Sequence, residues 1–232
     1  MKDSRKTNKN ALCNYRPHRF IKLLSTIVCC WCVAYNTYSQ NNVVDSLRKE
    51  ENIHKILFIG NDVISTNDLP ALVKQKAKYS GYTVETKTIS KSNYNYADHW
   101  NKSDVQNLIR SKLYDIVIIQ QNPTNRLNSY KKLVEYSEKY SALCKENNVV
   151  LAFFMVWPSL EHYITIDTEI LNYQLIAETN NDVLCPIGEV WKTYFDKTNR
   201  YDYYDSDNFL PSKKGSDVAA QVVLKSILKY LR

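Results

Sequence analysis

Five short strand-like runs, separated by stretches with helical periodicity, constrain this chain more than any other feature. Ile56-Leu-Phe-Ile59, Asp115-Ile-Val-Ile-Ile-Gln120 and Val149-Val-Leu-Ala-Phe-Phe-Met-Val156 are continuous and rich in branched residues. A strand with one wet face alternates apolar and polar side chains, whereas a strand covered on both faces reads as an unbroken apolar run. Thr83-Val-Glu-Thr-Lys-Thr-Ile89 does alternate, which places it nearer a sheet edge, and Val183-Leu-Cys185 is a short fifth candidate closed by Pro186. Asn67 or Asp68 can cap the first intervening helix, Pro70 fits its first turn and Gly81 stops it. Its buried face reads Leu69, Leu72, Val73 and Ala77. The last helix follows Pro211-Ser212, with Val218, Ala219, Val222, Val223, Ile227 and Tyr230 recurring along one side. Strand–helix alternation over about 180 residues predicts an α/β domain with a mainly parallel five-stranded sheet and helices on both faces.

In such a sheet the ligand site lies beyond the carboxyl ends of the strands. That rule gathers Asn61-Asp62, Gln120-Gln121-Asn122, Trp157 and the segment before the last helix into one neighbourhood.

Charge excludes some partners. Of a net charge of +7 over 232 residues, the first 39 residues carry +6, with seven Lys or Arg against one acid, Asp3. The remainder, at +1, offers no electrostatic case for nucleic acid or an anionic membrane. The basic stretch ends at Lys22, the apolar run Leu23–Ala34 follows, and Thr37 and Ser39 stand at −3/−1 of a cleavage position. This is the three-part layout of a secretory signal. The 12-residue run is short of the roughly 20 residues that span a bilayer. The expected organisation is therefore a signal peptide over 1–39, a linker over 40–53 and one domain over 54–232. It implies a secreted or periplasmic product with no stable membrane insertion. Four of six cysteines lie in the leader, leaving Cys144 and Cys185, which read as two buried free thiols.

Four motifs carry a resemblance. Phe58-Ile-Gly-Asn61 with Ser65-Thr-Asn-Asp-Leu-Pro70 is similar to the first block of the SGNH (GDSL-like) ester hydrolases, in bacterial members that read Gly-Asn-Ser and later Asn-Asp-Leu-Pro. His99-Trp100 is similar to the end of the second block, and Tyr114-Asp-Ile-Val-Ile-Ile-Gln-Gln121 to the third. Asp205-Ser-Asp-Asn-Phe-Leu-Pro-Ser-Lys-Lys-Gly-Ser216 resembles the last, Asp-x-x-His-Pro-Ser-x-x-Gly. The resemblance runs from about Lys55 to the C-terminus. It implies a three-layer α/β/α, flavodoxin-like fold and acyl-transfer chemistry needing no cofactor. In that chemistry a serine attacks an ester carbonyl, a histidine takes its proton, an aspartate orients the histidine, and N–H donors hold the oxyanion.

Carried over residue by residue, the resemblance keeps the aspartate as Asp207 but puts Asp62 where the serine belongs and Leu210 where the histidine belongs. Asn93 falls at the second-block oxyanion glycine, and Asn122, with Gln120 or Gln121, at the asparagine donor. Losing one triad member typically lowers the rate by about 10⁴, and leucine cannot move a proton. The expectation is a catalytically degenerate exported protein that binds a small-molecule or glycan ligand, a carbohydrate or acylated glycan. One alternative is an ester hydrolase with a rearranged site using Asp62, Asp207 and His162, the last in Trp157-Pro-Ser-Leu-Glu-His162. Another is a structural or partner-binding domain. Two carboxylates facing one pocket would favour a cationic or polyhydroxylated ligand or a metal ion, unless Asp62 caps the following turn. Asp202, Asp205 and Asp207 lack the spacing and glycine of a calcium loop, and no metal ligand set is assigned. The tyrosines of Tyr194–Asp205 offer faces for stacking on sugar rings.

Overall fold

A computed structural model describes residues 53–123 and 127–231. The expected leader, and all of the expected linker but Ile53, lie outside the described residues. Five parallel strands form one sheet in the order β2-β1-β3-β4-β5. They are β1 (Ile53–Gly60), β2 (Thr83–Ser90), β3 (Ile116–Ile119), β4 (Val150–Phe154) and β5 (Val183–Cys185). The principal helices are α1 (Leu69–Tyr79), α2 (Ser103–Arg110), α3 (Leu127–Glu146), α4 (Ile166–Asn180), α5 (Ile187–Thr198) and α6 (Lys213–Ile227). Ile53 is the first described residue of β1 and pairs with Thr83.

The apolar runs behave as their composition requires. Ile56 to Ile59, Ile116 to Ile119 and Leu151 to Trp157 are all buried, since helices cover both faces of the central strands. The alternating strand β2 is an edge, with Glu85, Lys87 and Thr88 exposed. On α1, Asp68 caps by accepting from the Ala71 amide, Pro70 sits in the first turn, and Gly81 takes φ 83° just beyond the last turn. Leu69, Val73 and Ala77 are buried and Leu72 half-buried, as the pattern requires.

The expected face of the last helix meets the core: Ala219, Val223 and Ile227 are buried and Val218, Val222 and Tyr230 are half-buried against it, while Ala220 and Leu224 widen the buried face. The helix starts at a close approach. A Cβ on Gly215 would lie 2.2 Å from the carbonyl oxygen of Tyr203, so the bare glycine face packs on that backbone. Ser212 caps the helix through the Gly215 amide at 3.1 Å.

The two remaining cysteines are free and buried. Trp157 stacks on Trp191 with centroids 3.6 Å apart, and its indole N–H donates to the Phe209 carbonyl at 2.9 Å. The tyrosine-rich segment is likewise turned inward. Tyr203 and Tyr204 are buried, Tyr194 stacks on Tyr203 at 4.2 Å, and Lys214 donates to both Tyr194 and Asp202. The faces of Tyr203 and Tyr204 pack on the protein, while Tyr201 is exposed. Among the described residues no helix is long and apolar enough to cross a membrane.

Candidate active site

The strand order reverses between β1 and β3: the chain leaves β1 for β2 on one side and returns to β3 on the other. The crevice at this switch point is where parallel α/β sheets bind ligands. Asn61, the residue after β1, organises it. Its backbone N–H donates to Gln120 Oε1 at 2.9 Å, and its side-chain amide donates to Asn122 Oδ1 at 2.9 Å and to the Tyr94 carbonyl at 3.1 Å. Its own Oδ1 accepts from the Val63 amide and its carbonyl from Ser90 Oγ, at 3.1 and 2.8 Å. Asn61 is only 2% exposed, so each unmet polar group there would cost roughly 1–3 kcal/mol. Gly60 is needed beside it, since a Cβ would meet Gln120 Oε1 at 2.5 Å and Ile64 Cγ1 at 2.7 Å.

Gln120 and Gln121 are buried structural amides. Gln120 Nε2 donates to the Gln121 carbonyl at 2.6 Å, and Gln121 Oε1 accepts from the Tyr96 amide at 3.5 Å. Asn122 is half-buried and reaches the cavities described below. Asn93 is exposed with φ 61°, a left-handed position that asparagine tolerates. Trp157, expected at the ligand, lies in the core at 1% exposure and lines neither cavity.

Asp62 does not cap the following turn; Asn61 does, through Val63. The Asp62 carboxylate instead accepts from Ser92 Oγ at 2.7 Å, tying the first loop to the second. Asp207 accepts from the amides of Phe209 and Leu210 at 2.9 and 2.8 Å, a local turn that holds its own loop. Neither acid lines the two cavities at this end of the sheet. The loop carrying Asp207 is nevertheless joined to the first one. Asn67, at φ 55°, donates through Nδ2 to the Pro211 carbonyl at 2.9 Å and to Ser216 Oγ at 3.0 Å. Leu210 and Phe209 are half-buried against the core.

His99 is buried, with Nε2 2.7 Å from the Gly60 carbonyl and its ring edge-on to Tyr94 at 5.1 Å. Burial pushes its imidazole below the ordinary histidine range, opposed by the Gly60 bond and Asp98. It holds the end of β1 through the Gly60 carbonyl.

One cavity of about 160 Å³ is lined by Asn95, Gln121, Asn122, Pro123, Ser129 and Lys132. A larger one, about 580 Å³, shares Asn122, Pro123 and Ser129 and adds Ser159, His162, Thr165 and Phe209. Such a volume suits a small molecule or a sugar unit. Among the described residues no group of three His, Cys, Asp or Glu side chains is placed to hold a metal ion. Asn95 escaped the sequence reading, although Asn95-x-x-Asp98 spells the capping box it forms at the short helix Tyr96–Trp100. Ser159 also escaped it, although Ser159-x-x-His162 follows a strand end.

No protein-family model matches the chain, and no curated protein matches it in sequence. Solved structures do match its fold. A protein assigned to the SGNH hydrolases from Slackia heliotrinireducens aligns with TM-score 0.62 at 18% identity, over 75% of this chain and 99% of that one. A lipase/acylhydrolase from Enterococcus faecalis aligns with TM-score 0.64 at 15% identity, over 77% and 97%. A family 3 carbohydrate esterase from Clostridium thermocellum aligns with TM-score 0.60 at 14% identity, over 78% and 98%. The chain has the SGNH-hydrolase fold.

Proposed function

With the SGNH-hydrolase fold as premise, we propose that this is an exported protein that binds a carbohydrate or acylated glycan and does not cleave it by the fold's usual serine route. One observation carries the reading. Asn61, Gln120, Gln121 and Asn122 are tied together by amide hydrogen bonds, while Asp62, bonded to Ser92, and Leu210 stand where the resemblance calls for the serine and the histidine. A scaffold kept after its proton shuttle has gone supports recognition rather than turnover. The cavity walls support a hydroxyl-bearing ligand, since carboxamides and hydroxyls both donate and accept. A carbohydrate esterase shares the fold.

The test pairs binding with turnover. Calorimetry with acetylated oligosaccharides should show binding, and Asp62→Ala should leave any background turnover of aryl esters unchanged. Restoring Asp62→Ser together with Leu210→His should create esterase activity that neither single change creates. Turnover abolished by Asp62→Ala would refute the degenerate reading.

A second reading, ester hydrolysis by a rearranged site, is favoured by one specific contact: Ser159 Oγ lies 2.9 Å from His162 Nδ1. A closed-pocket, partner-binding domain has no such support, because the cavity beside Phe209 is open.

A further inference from the structure

Ser159 is the residue before a short 3₁₀ segment, Leu160–Thr165, where a serine ordinarily turns its hydroxyl onto the backbone N–H two or three residues on. It makes no such bond here. The His162 amide is taken by the Ser159 carbonyl instead, at 2.9 Å, which leaves the Ser159 hydroxyl against the imidazole. His162 sits at a kink in the segment, with φ −104° and ψ 19°, and Thr165 Oγ1 pins its carbonyl at 2.9 Å. The segment is anchored to the loop that carries Asp207: the Leu160 amide donates to the Asn208 carbonyl at 2.8 Å, and Tyr204 OH to the Pro158 carbonyl at 2.7 Å. Both members of the pair line the 580 Å³ cavity, and so does Asn122, whose carboxamide Asn61 holds in place.

We propose that Ser159 and His162 are a nucleophile–base pair that makes this cavity a site for carboxylic esters, with the Asn122 carboxamide as oxyanion donor. The proposal rests on the second reading above and replaces its nucleophile, Asp62, by a hydroxyl. In the tautomer protonated at Nε2, the Ser159 hydroxyl donates to Nδ1. Its oxygen attacks the ester carbonyl carbon while the proton passes to His162, and the carbonyl electrons move onto the oxygen facing Asn122. Collapse breaks the bond to the alkoxy group, which leaves as the alcohol with the proton from His162, and Ser159 keeps the acyl group. Water then attacks the acyl carbon, gives a proton to His162, and releases the carboxylic acid as Ser159 recovers its hydrogen. No carboxylate is among the residues lining the cavity, so nothing there orients or stabilises the imidazolium as a triad acid would. The expected signature is therefore slow turnover with an initial burst as acyl-Ser159 accumulates.

The test uses the full chain and a fluorophosphonate probe, from which a serine oxygen displaces fluoride at phosphorus. Peptide mass spectrometry should place the label on Ser159. Ser159→Ala should lose both the label and the aryl-ester burst. His162→Gln keeps a polar side chain but cannot take up the proton, and should label about 10²–10⁴-fold more slowly. Ser159 is half-buried and His162 exposed, and circular dichroism verifies that the variants fold. Should Ser159→Ala not fold, the labelled position in the wild-type chain and the His162→Gln rate decide the matter. No label, a label on another residue, or wild-type labelling of His162→Gln would overturn the proposal. Glycan binding by the unlabelled protein, measured separately, shows whether the binding reading survives that failure.

Discussion

The backbone amide of Asn61 donates across the switch point to the side chain of Gln120, joining the ends of β1 and β3 at 2.9 Å. Gln120 is fully buried, and its other end is used on the Gln121 carbonyl. Gln120→Leu would orphan the Asn61 amide and the Gln121 carbonyl together. The expected loss is about 2–4 kcal/mol, read as a lowered urea midpoint with unchanged slope. Gly60→Ala should have a comparable effect for a steric reason, because the new methyl would meet the same Gln120 oxygen. An unchanged midpoint in both variants would show that this crossing does not hold the crevice.

Asn67 clamps the first loop onto the start of α6 while occupying φ 55°. The two roles separate by mutation. Asn67→Gly keeps the left-handed backbone and loses the clamp, so it should cost about 1–2 kcal/mol. Asn67→Ala loses both and should cost about 1 kcal/mol more. Equal melting temperatures for the two variants would remove the backbone contribution.

His99 makes stability depend on pH. Its folded pKa is depressed, chiefly by burial, below the unfolded value of about 6.5. Between the two values the unfolded chain binds the extra proton, so acid favours unfolding. The contribution is fully present above about pH 6.5 and is lost as pH falls toward the folded value. Urea midpoints measured across this range should fall with acid in the wild type and fall less steeply in His99→Gln.

Cys144 and Cys185 are buried, and burial pushes both thiols up to about 12. The thiolate is the reactive form, so neither should react with an alkylating reagent in the folded protein at neutral pH. Labelling should follow the rate of unfolding in urea. Rapid labelling of the native protein would contradict the burial.

The strands, the edge position of β2 and the cap of α1 were legible in the residues because each follows from a local rule: unbroken apolar runs for β1, β3 and β4, alternation for β2, and a polar cap with Pro70 behind it for α1. Asn122 lines both cavities at the carboxyl end of the sheet, while Trp157 lies in the core. A tryptophan at a strand's carboxyl end reads the same whether it faces ligand or core, and only the stack on Trp191 distinguishes the two. The same limit hid Tyr203 and Tyr204, whose faces stack on Tyr194 and Phe195.

The order of residues alone determined that this chain builds a parallel sheet, because hydrophobic periodicity and chain connectivity are properties of the string. It also determined that Asp62 and Leu210 stand where the resemblance calls for serine and histidine, since side-chain chemistry is written in each letter. Which hydroxyl meets which imidazole was left to the tertiary structure. Hydrogen bonds form over about 3 Å, and only the folded loops bring Ser159 to His162, Asp62 to Ser92 and Asn67 to Ser216 within that reach.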